Sequence, residues 1–389
     1  MQFRIINANI VSPDEVVGNA SLTVEDGVIS RIGCTAPADT VIDAAGAYLM
    51  PGFIDIHSDQ IEQAIEPRPG SVIDIAYALQ EQDRQLVNNG ITTMYHSLSM
   101  LSRTSAHGRP KAAREDQILQ QIVREIINPE STRLIDHELH IRLDMTSPEI
   151  VPTLMRMMDE GLVSMLSFCD HTPGQGQFRE RAKQKAVLKS YDTSVPDEEI
   201  ERRLDARCLA PKIPRETLIQ IAELAKKKGV PLASHDDDST ERVDFAREEL
   251  SAVICEFPVE LAVARYAKSA GMVTLGGAPN VLRGKSHTGN MSAIDGIFDG
   301  SITALCSDYY TPSMLQAVSK LHKQFGMPLH ECVNLVTLSP AKAVGLDERL
   351  GTIAEGKVAD LILVDLSGDY PKLTAAFKGG NVASMLYYA

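Results

Sequence analysis

The hydrophobic positions of this 389-residue chain change their spacing twice. Up to residue 48 the apolar clusters are short, at 3–10, 20–24, 28–32 and 40–43. Asp26-Gly27 and Ala45-Gly46 separate them, and short strands joined by tight turns predict an antiparallel unit. From residue 52 onward, apolar runs of strand length alternate with longer stretches at helical spacing, the pattern of parallel βα units. Eight such runs can be counted, at 53–57, 92–97, 138–144, 163–169, 231–234, 252–255, 272–275 and 303–306. Each is followed by polar or glycine-rich residues and then a helical pattern. Eight βα repeats predict a closed (β/α)8 barrel of the TIM type, which places chemistry on the loops after the strands. The stretch 350–365 returns to short strands, so the two ends are expected to build one small β-sandwich domain beside the barrel. The expected division is residues 1–50 and 346–389 in the small domain and 51–345 in the barrel. Residues 183–207 are densely charged and read as a solvated helical insertion.

Composition narrows the class. With 44% hydrophobic and 23% charged residues the chain can bury a sizeable core. A net charge of −14, from 38 basic and 52 acidic residues, argues against a nucleic-acid partner, and any anionic substrate then needs a local basic site or a metal. The six cysteines lack C-x-x-C spacing and several fall in apolar runs, where cysteine acts as a small buried hydrophobe. No stretch approaches the roughly 18 apolar residues of a membrane span, and residues 1–7 lack the features of a signal peptide. The expectation is a cytoplasmic protein without a membrane partner, for which a homo-oligomer is compatible.

Candidate chemistry lies at the ends of the expected strands. The first ends in His57-Ser58-Asp59. In a strand, positions i and i+2 share a face, so His57 and Asp59 are expected to project together. The third carries Arg142 and ends at Asp144. The fourth is followed by Asp170-His171-Thr172-Pro173-Gly174, the fifth by His235-Asp236-Asp237-Asp238, and the eighth by Ser307-Asp308. Each has a plainer reading. A lone histidine such as His171 is commonly a hydrogen-bonded structural residue, and at least two of Asp236–238 read as a helix cap with dipole-favourable carboxylates. His96, His107, His322 and His330 read as structural or exposed. Coincidence tips the balance, because a closed barrel converges strand ends at one rim, and a metal site takes ligands from several strands. The run 276–290 after the seventh strand joins glycines to Arg283, Lys285 and His287 and reads as an anion-binding loop. Arg68, in Pro67-Arg68-Pro69-Gly70, is a second basic candidate, with a plain turn as the equal alternative.

Taken together these strings resemble the amidohydrolase superfamily. The resemblance spans nearly the whole chain and rests on H-x-D after P-G-F-I-D, on D-H-T-P-G-Q-x-Q-F (170–178), and on L-A-S-H-D-D (232–237). It continues through E-F-P (256–258), G-A-P-N-V-x-R-G-x-S-H-x-G-N (277–290) and S-D-Y-Y (307–310), and ends in G-x-I-x-E-G-x-x-A-D-L-x-x-x-D (351–365). It implies a metal set of His57, Asp59, His235 and Asp308, with Asp144 or Asp170 as bridging carboxylate and His171 completing the shell. Two departures stand out: Asp59 replaces the second histidine of H-x-H, and Glu256 stands where many relatives place a histidine ligand. The resemblance further implies one or two divalent ions (zinc, manganese or iron) and a small phosphorylated substrate. In the branch it resembles most, the reaction is hydrolysis of a ribose 5-triphosphate bearing a 1-alkylphosphonate to the 5-phosphate and pyrophosphate, within phosphonate catabolism. Asp308 would then orient the attacking water and shuttle its proton. Arg68, Arg142, Arg283, Lys285 and His287 would meet the phosphate chain. The alternative is a carbonyl-directed amidohydrolase, a deaminase or cyclic amidase; a third reading is a non-catalytic scaffold.

Overall fold

The computed structural model describes residues 2–33, 38–68, 70–100, 116–128, 130–191, 193–286 and 289–388. Its strands begin with β1 (Gln2–Val11), β2 (Val16–Glu25), β3 (Val28–Ile32), β4 (Thr40–Asp43) and β5 (Tyr48–Pro51). Eight more follow, β6 (Phe53–Ser58), β7 (Ile91–Met100), β8 (Asp136–Asp144), β9 (Met165–Cys169), β10 (Leu232–His235), β11 (Ile254–Glu256), β12 (Val273–Gly277) and β13 (Ala304–Cys306). The chain ends in β14 (Leu361–Asp365), β15 (Lys372–Lys378) and β16 (Asn381–Met385).

Strands β6 to β13 form one sheet in sequential order, each pair parallel. Helices on the outside explain why these strands read as nearly continuous apolar runs. The sheet closes between its first and last members. At the rim, Ser58 and Asp308 form a parallel bridge. The Asp308 N–H donates to His57 O at 3.0 Å, and the Asp59 N–H donates to Asp308 O at 3.0 Å. Below the rim the segment 335–336 fills the seam, accepting from Ile54 N at 3.0 Å through Val336 O and from Leu305 N at 2.8 Å through Leu335 O. The barrel and its terminal β-structure have the architecture that the alternating pattern predicts.

The terminal strands make a second sheet in the order β16-β15-β14-β5-β1-β2-β3, with β4 on β1. The two ends of the chain meet where β5 pairs antiparallel with β14, Tyr48 opposite Val364 and Pro51 opposite Leu361. One face buries Phe3, Ile5, Leu22, Leu49, Leu361 and Phe377 in a single apolar cluster. The sheet curls far enough for its two outer turns to touch. Asp26 (φ 48°) and Gly27 (φ 84°) make a left-handed turn, and a Cβ on Gly380 would come within 2.8 Å of Gly27 Cα. Only glycine permits that approach.

The charged segment forms two helices, Arg181–Tyr191 and Asp197–Cys208. They are laced by ion pairs such as Arg181–Glu201 at 3.0 Å and anchored by buried Ile200 and Leu204. Among the described residues no helix is long and apolar enough to cross a membrane.

Candidate active site

Strand ends set the site. In β6, Ile54 and Ile56 pack in an apolar cluster with Ala341 and Ala343, and the pairing of β6 with β7 is irregular between Asp55 and Ser58, where His57 stands. His57 Nδ1 lies 2.8 Å from Glu256 Oε1 at the end of β11. The His57 ring is 5.4 Å from that of His235, at the end of β10. One ligand atom each from His57, His235 and Glu256 falls within 4.8 Å of the others, and the same holds for His171, His235 and Asp236. His235 belongs to both groups, so five residues from four strand ends form one cluster. Phe257 packs edge-on against both imidazoles, 4.9 Å from His57 and 5.3 Å from His235. It does so from a left-handed backbone (φ 53°), as do Asp236 (φ 57°) and Asp308 (φ 55°). Three non-glycine residues in that region, after β10, β11 and β13, mark a strained rim of the kind functional sites retain.

Electrostatics follow from burial in a mixed set of charges. Burial, reinforced by the charge of Arg142, holds His57 well below the ordinary imidazole range, so the ring is neutral. Burial also pushes Asp308 up to about 7, and the neighbouring Asp59 carboxylate adds to the rise, while Arg142 and His235 oppose it. Burial alone would raise Asp236, but His235, His171 and Arg142 together hold it below its ordinary value. Beneath the cluster, Asp55 accepts from Ser307 N at 3.1 Å and His57 N at 3.4 Å, and burial pushes it up to about 6. The Arg142 guanidinium enters from β8, with Nη2 3.4 Å from His235 Nε2. Burial would lower its pKa, but Cys169 and the carboxylates of Asp59, Glu256 and Glu62 reverse the effect and keep it charged.

The structure brings His57, His171 and His235 together, with Asp308 and Arg142 against them. Asp144 sits behind His171, accepting from its Nδ1 at 2.9 Å and from Thr146 N at 2.9 Å. Asp170 faces the basic side of the mouth, accepting from Lys212 Nζ at 2.8 Å and Thr172 N at 3.1 Å. Asp59 is not a strand residue: β6 ends at Ser58, and Asp59 stands just before the helix Gln60–Ile65 with φ −99° and ψ 13°, its side chain making no capping bond. The shared-face argument therefore stops one residue short, because the seam bond to Asp308 O turns the chain there. The acidic run 236–238 also departs from expectation. Ser239 caps the helix Thr240–Asp244, accepting from Arg242 N. Asp237 accepts from Ser234 Oγ and Cys255 Sγ, and Asp238 from Gly176 N. These carboxylates tie neighbouring strand ends together, and Asp236 joins the cluster.

The expected anion loop after β12 begins as a short helix, Ala278–Arg283, because Pro279 presets φ in its first turn and Gly284 (φ 71°) closes it. Arg283 and Lys285 are exposed at and beyond its end, and His287 lies outside the described residues. Arg68 is exposed in a tight turn, its carbonyl accepting from Ser71 N at 2.9 Å. Sequence reasoning passed over Asp236 and Glu256 as cluster members. Glu256 had a signal, its position at the sixth strand end. Asp236 had none that separates it from two acidic neighbours.

A divalent ion fits these residues. Neutral imidazoles and carboxylates without thiolates suit zinc, manganese or iron. His235 Nδ1 and Asp236 Oδ2 approach to 3.0 Å, yet neither is aligned for a hydrogen bond, and both are buried. Unsatisfied buried polar atoms facing one another are what a bound cation resolves.

The sequence matches the Amidohydrolase family model over residues 206–386. It is 30% identical over 383 residues to alpha-D-ribose 1-methylphosphonate 5-triphosphate diphosphatase of Escherichia coli (strain K12), covering 97% of this chain and 99% of that one. The chain belongs to the amidohydrolase family. This amidohydrolase is also 26% identical over 380 residues to imidazolonepropionase of Caldanaerobacter subterraneus subsp. tengcongensis, across 90% of this chain and 85% of the relative. Among solved structures it superposes on N-acetylglucosamine-6-phosphate deacetylase from Pasteurella multocida with a TM-score of 0.63 at 14% identity, covering 98% and 99% of the two chains. At that identity the likeness speaks for the amidohydrolase fold alone.

Proposed function

We propose that this amidohydrolase is a divalent-metal-dependent diphosphatase, which hydrolyses a ribose 5-triphosphate bearing a 1-alkylphosphonate to the 5-phosphate and pyrophosphate. The observation that carries the reading is near-full-length likeness, at 30% identity, to a diphosphatase of that specificity. His57, His171, His235 and Asp236 would hold the ion, with Asp59 and Asp308 beside them. The ion would supply Lewis-acid charge and a water acidified from about 15.7 toward 7. Asp308 holds or takes a proton at its carboxylate near neutral pH, as a value of about 7 requires of a general base. Arg142 places a permanent positive charge at the cluster, where phosphoryl transfer gains most from charge stabilisation. Arg68, Arg283 and Lys285, all exposed, would meet the outer phosphates. Phe257 and the barrel wall exclude water from the imidazoles.

The likeness to imidazolonepropionase favours a second reading, ring opening of a cyclic amide at the same cluster. The test is to incubate zinc- or manganese-loaded protein with the ribosyl 5-triphosphate substrate and assay pyrophosphate. Metal-dependent release that is lost in His235→Ala supports the diphosphatase. Absence of release, with metal bound at stoichiometric occupancy, turns the reading to the cyclic amide, assayed on an imidazolone.

A further inference from the structure

Below the metal-competent rim, buried polar side chains from five strands join in one line across the barrel interior. Ser97 Oγ on β7 is 2.8 Å from His140 Nδ1 on β8. His140 Nε2 is 2.6 Å from Ser167 Oγ on β9. Ser167 Oγ donates to Glu256 Oε2 at 2.6 Å, and Glu256 Oε1 meets His57 Nδ1 at 2.8 Å. Ser97, His140, Ser167 and Glu256 are fully buried and His57 is 1% exposed. Four short hydrogen bonds with no access to water are costly to leave unmade and rigid when complete.

With Glu256 as a carboxylate that accepts from Ser167, proton counting leaves one arrangement. Ser167 has a single hydroxyl proton, and Glu256, an acceptor, takes it. Ser167 must therefore accept from His140, whose Nε2 carries hydrogen. A neutral His140 then offers a lone pair at Nδ1, to which Ser97 donates. At the other end the Glu256 carboxylate can only accept from His57, so His57 carries its hydrogen on Nδ1 and presents a bare Nε2 lone pair. Both Glu256 oxygens are committed. We propose that the Ser97–His140–Ser167–Glu256 line is a strut that fixes the tautomer and direction of His57, and that Glu256 acts on the site through His57 as a positioning residue. A carboxylate behind a ligating histidine sets the ring's tautomer and basicity in this way. Here the carboxylate is itself held by a serine and a second histidine three strands away.

The inference rests on the reading that the cluster takes a divalent ion, and the experiment separates the two. In metal-free full-length protein, imidazole 15N shifts should report His57 as the Nδ1–H tautomer and His140 as the Nε2–H tautomer. The opposite tautomer at either ring overturns the strut, whether or not metal binds. Zinc affinity is then measured by competition with a chelator. Ser167→Ala and His140→Leu should each weaken zinc binding by roughly 10–100-fold, the usual effect of losing such support. His140→Gln, which keeps an N–H at the Nε2 position, should recover most of the loss. Circular dichroism guards against a folding defect. Wild-type affinity in Ser167→Ala overturns the strut, whereas a wild-type chain that binds no zinc sinks the metal reading and leaves the tautomers to decide the strut.

Discussion

Asp308 is placed by its own backbone. Its φ of 55° lies in a region that aspartate tolerates better than most residues, and it turns the carboxylate toward Asp59 and Arg142. Under the proposed reaction, Asp308→Asn keeps the shape and removes the base, and kcat should fall by about 10²-fold or more; a near-wild-type steady-state rate would remove Asp308 from the chemistry. The raised pKa has a second consequence with a definite sign. Folded Asp308 sits at about 7 against 3.8 for an unperturbed aspartate. The folded chain therefore binds the proton more tightly, and the stability this gives is complete below 3.8 and lost as pH rises through 7. Metal-free protein should accordingly unfold at lower urea concentration at pH 8 than at pH 5, by an amount on the order of a few kcal/mol. Asp55, raised to about 6, works in the same direction. Asp308→Asn should flatten the slope, and an unchanged slope in that variant would place the effect elsewhere.

The elements that carry these residues were readable wherever one physical rule governed a whole segment. Strands buried on both faces must be apolar throughout, and runs such as 303–306 announced themselves in that way. Histidines at strand ends, His57 and His235 above all, were readable because a barrel gathers its strand ends. What stayed hidden depends on single long-range bonds. No local pattern reveals that the Asp308 carbonyl captures Asp59 N–H and ends β6 one residue early. None reveals that Ser239, not an aspartate, caps the next helix. Glycines on both sides made 278–283 look like a loop, although Pro279 and Gly284 are the start and stop of a short helix. Gly52 shows how closely the first barrel strand is seated. A Cβ there would overlap the Thr92 side chain on β7. Gly52→Ala should cost roughly 1–3 kcal/mol, as overpacking of a filled site does. The denaturation midpoint measures it, and an unshifted midpoint would mean that Thr92 rotates away freely.

At the scale of the whole molecule, the terminal sheet and the barrel meet at a partly buried polar junction. Lys378 on β15 donates both to Asp360 and to Asp136 at the start of β8, and Gly52 N–H donates to Asp360 O at 2.9 Å. Burial raises Asp360, and Lys378 counteracts it. Lys378→Met removes the counter-charge and should destabilise the fold by roughly 1–3 kcal/mol, the cost of stranding a buried acceptor, while kcat/KM at a temperature well below unfolding stays unchanged. A parallel drop in both would show that the junction reaches the site. Closure of the barrel at Ser58 and Asp308 has a consequence for how this molecule fails. The last rung of the ring is made by the peptide groups of the residues whose side chains crown it, so parting that rung scatters the crown. Amide hydrogen exchange at Asp308 and Asp59 should therefore speed up at the same temperature at which activity begins to fade, ahead of exchange in the curled sheet at the far end.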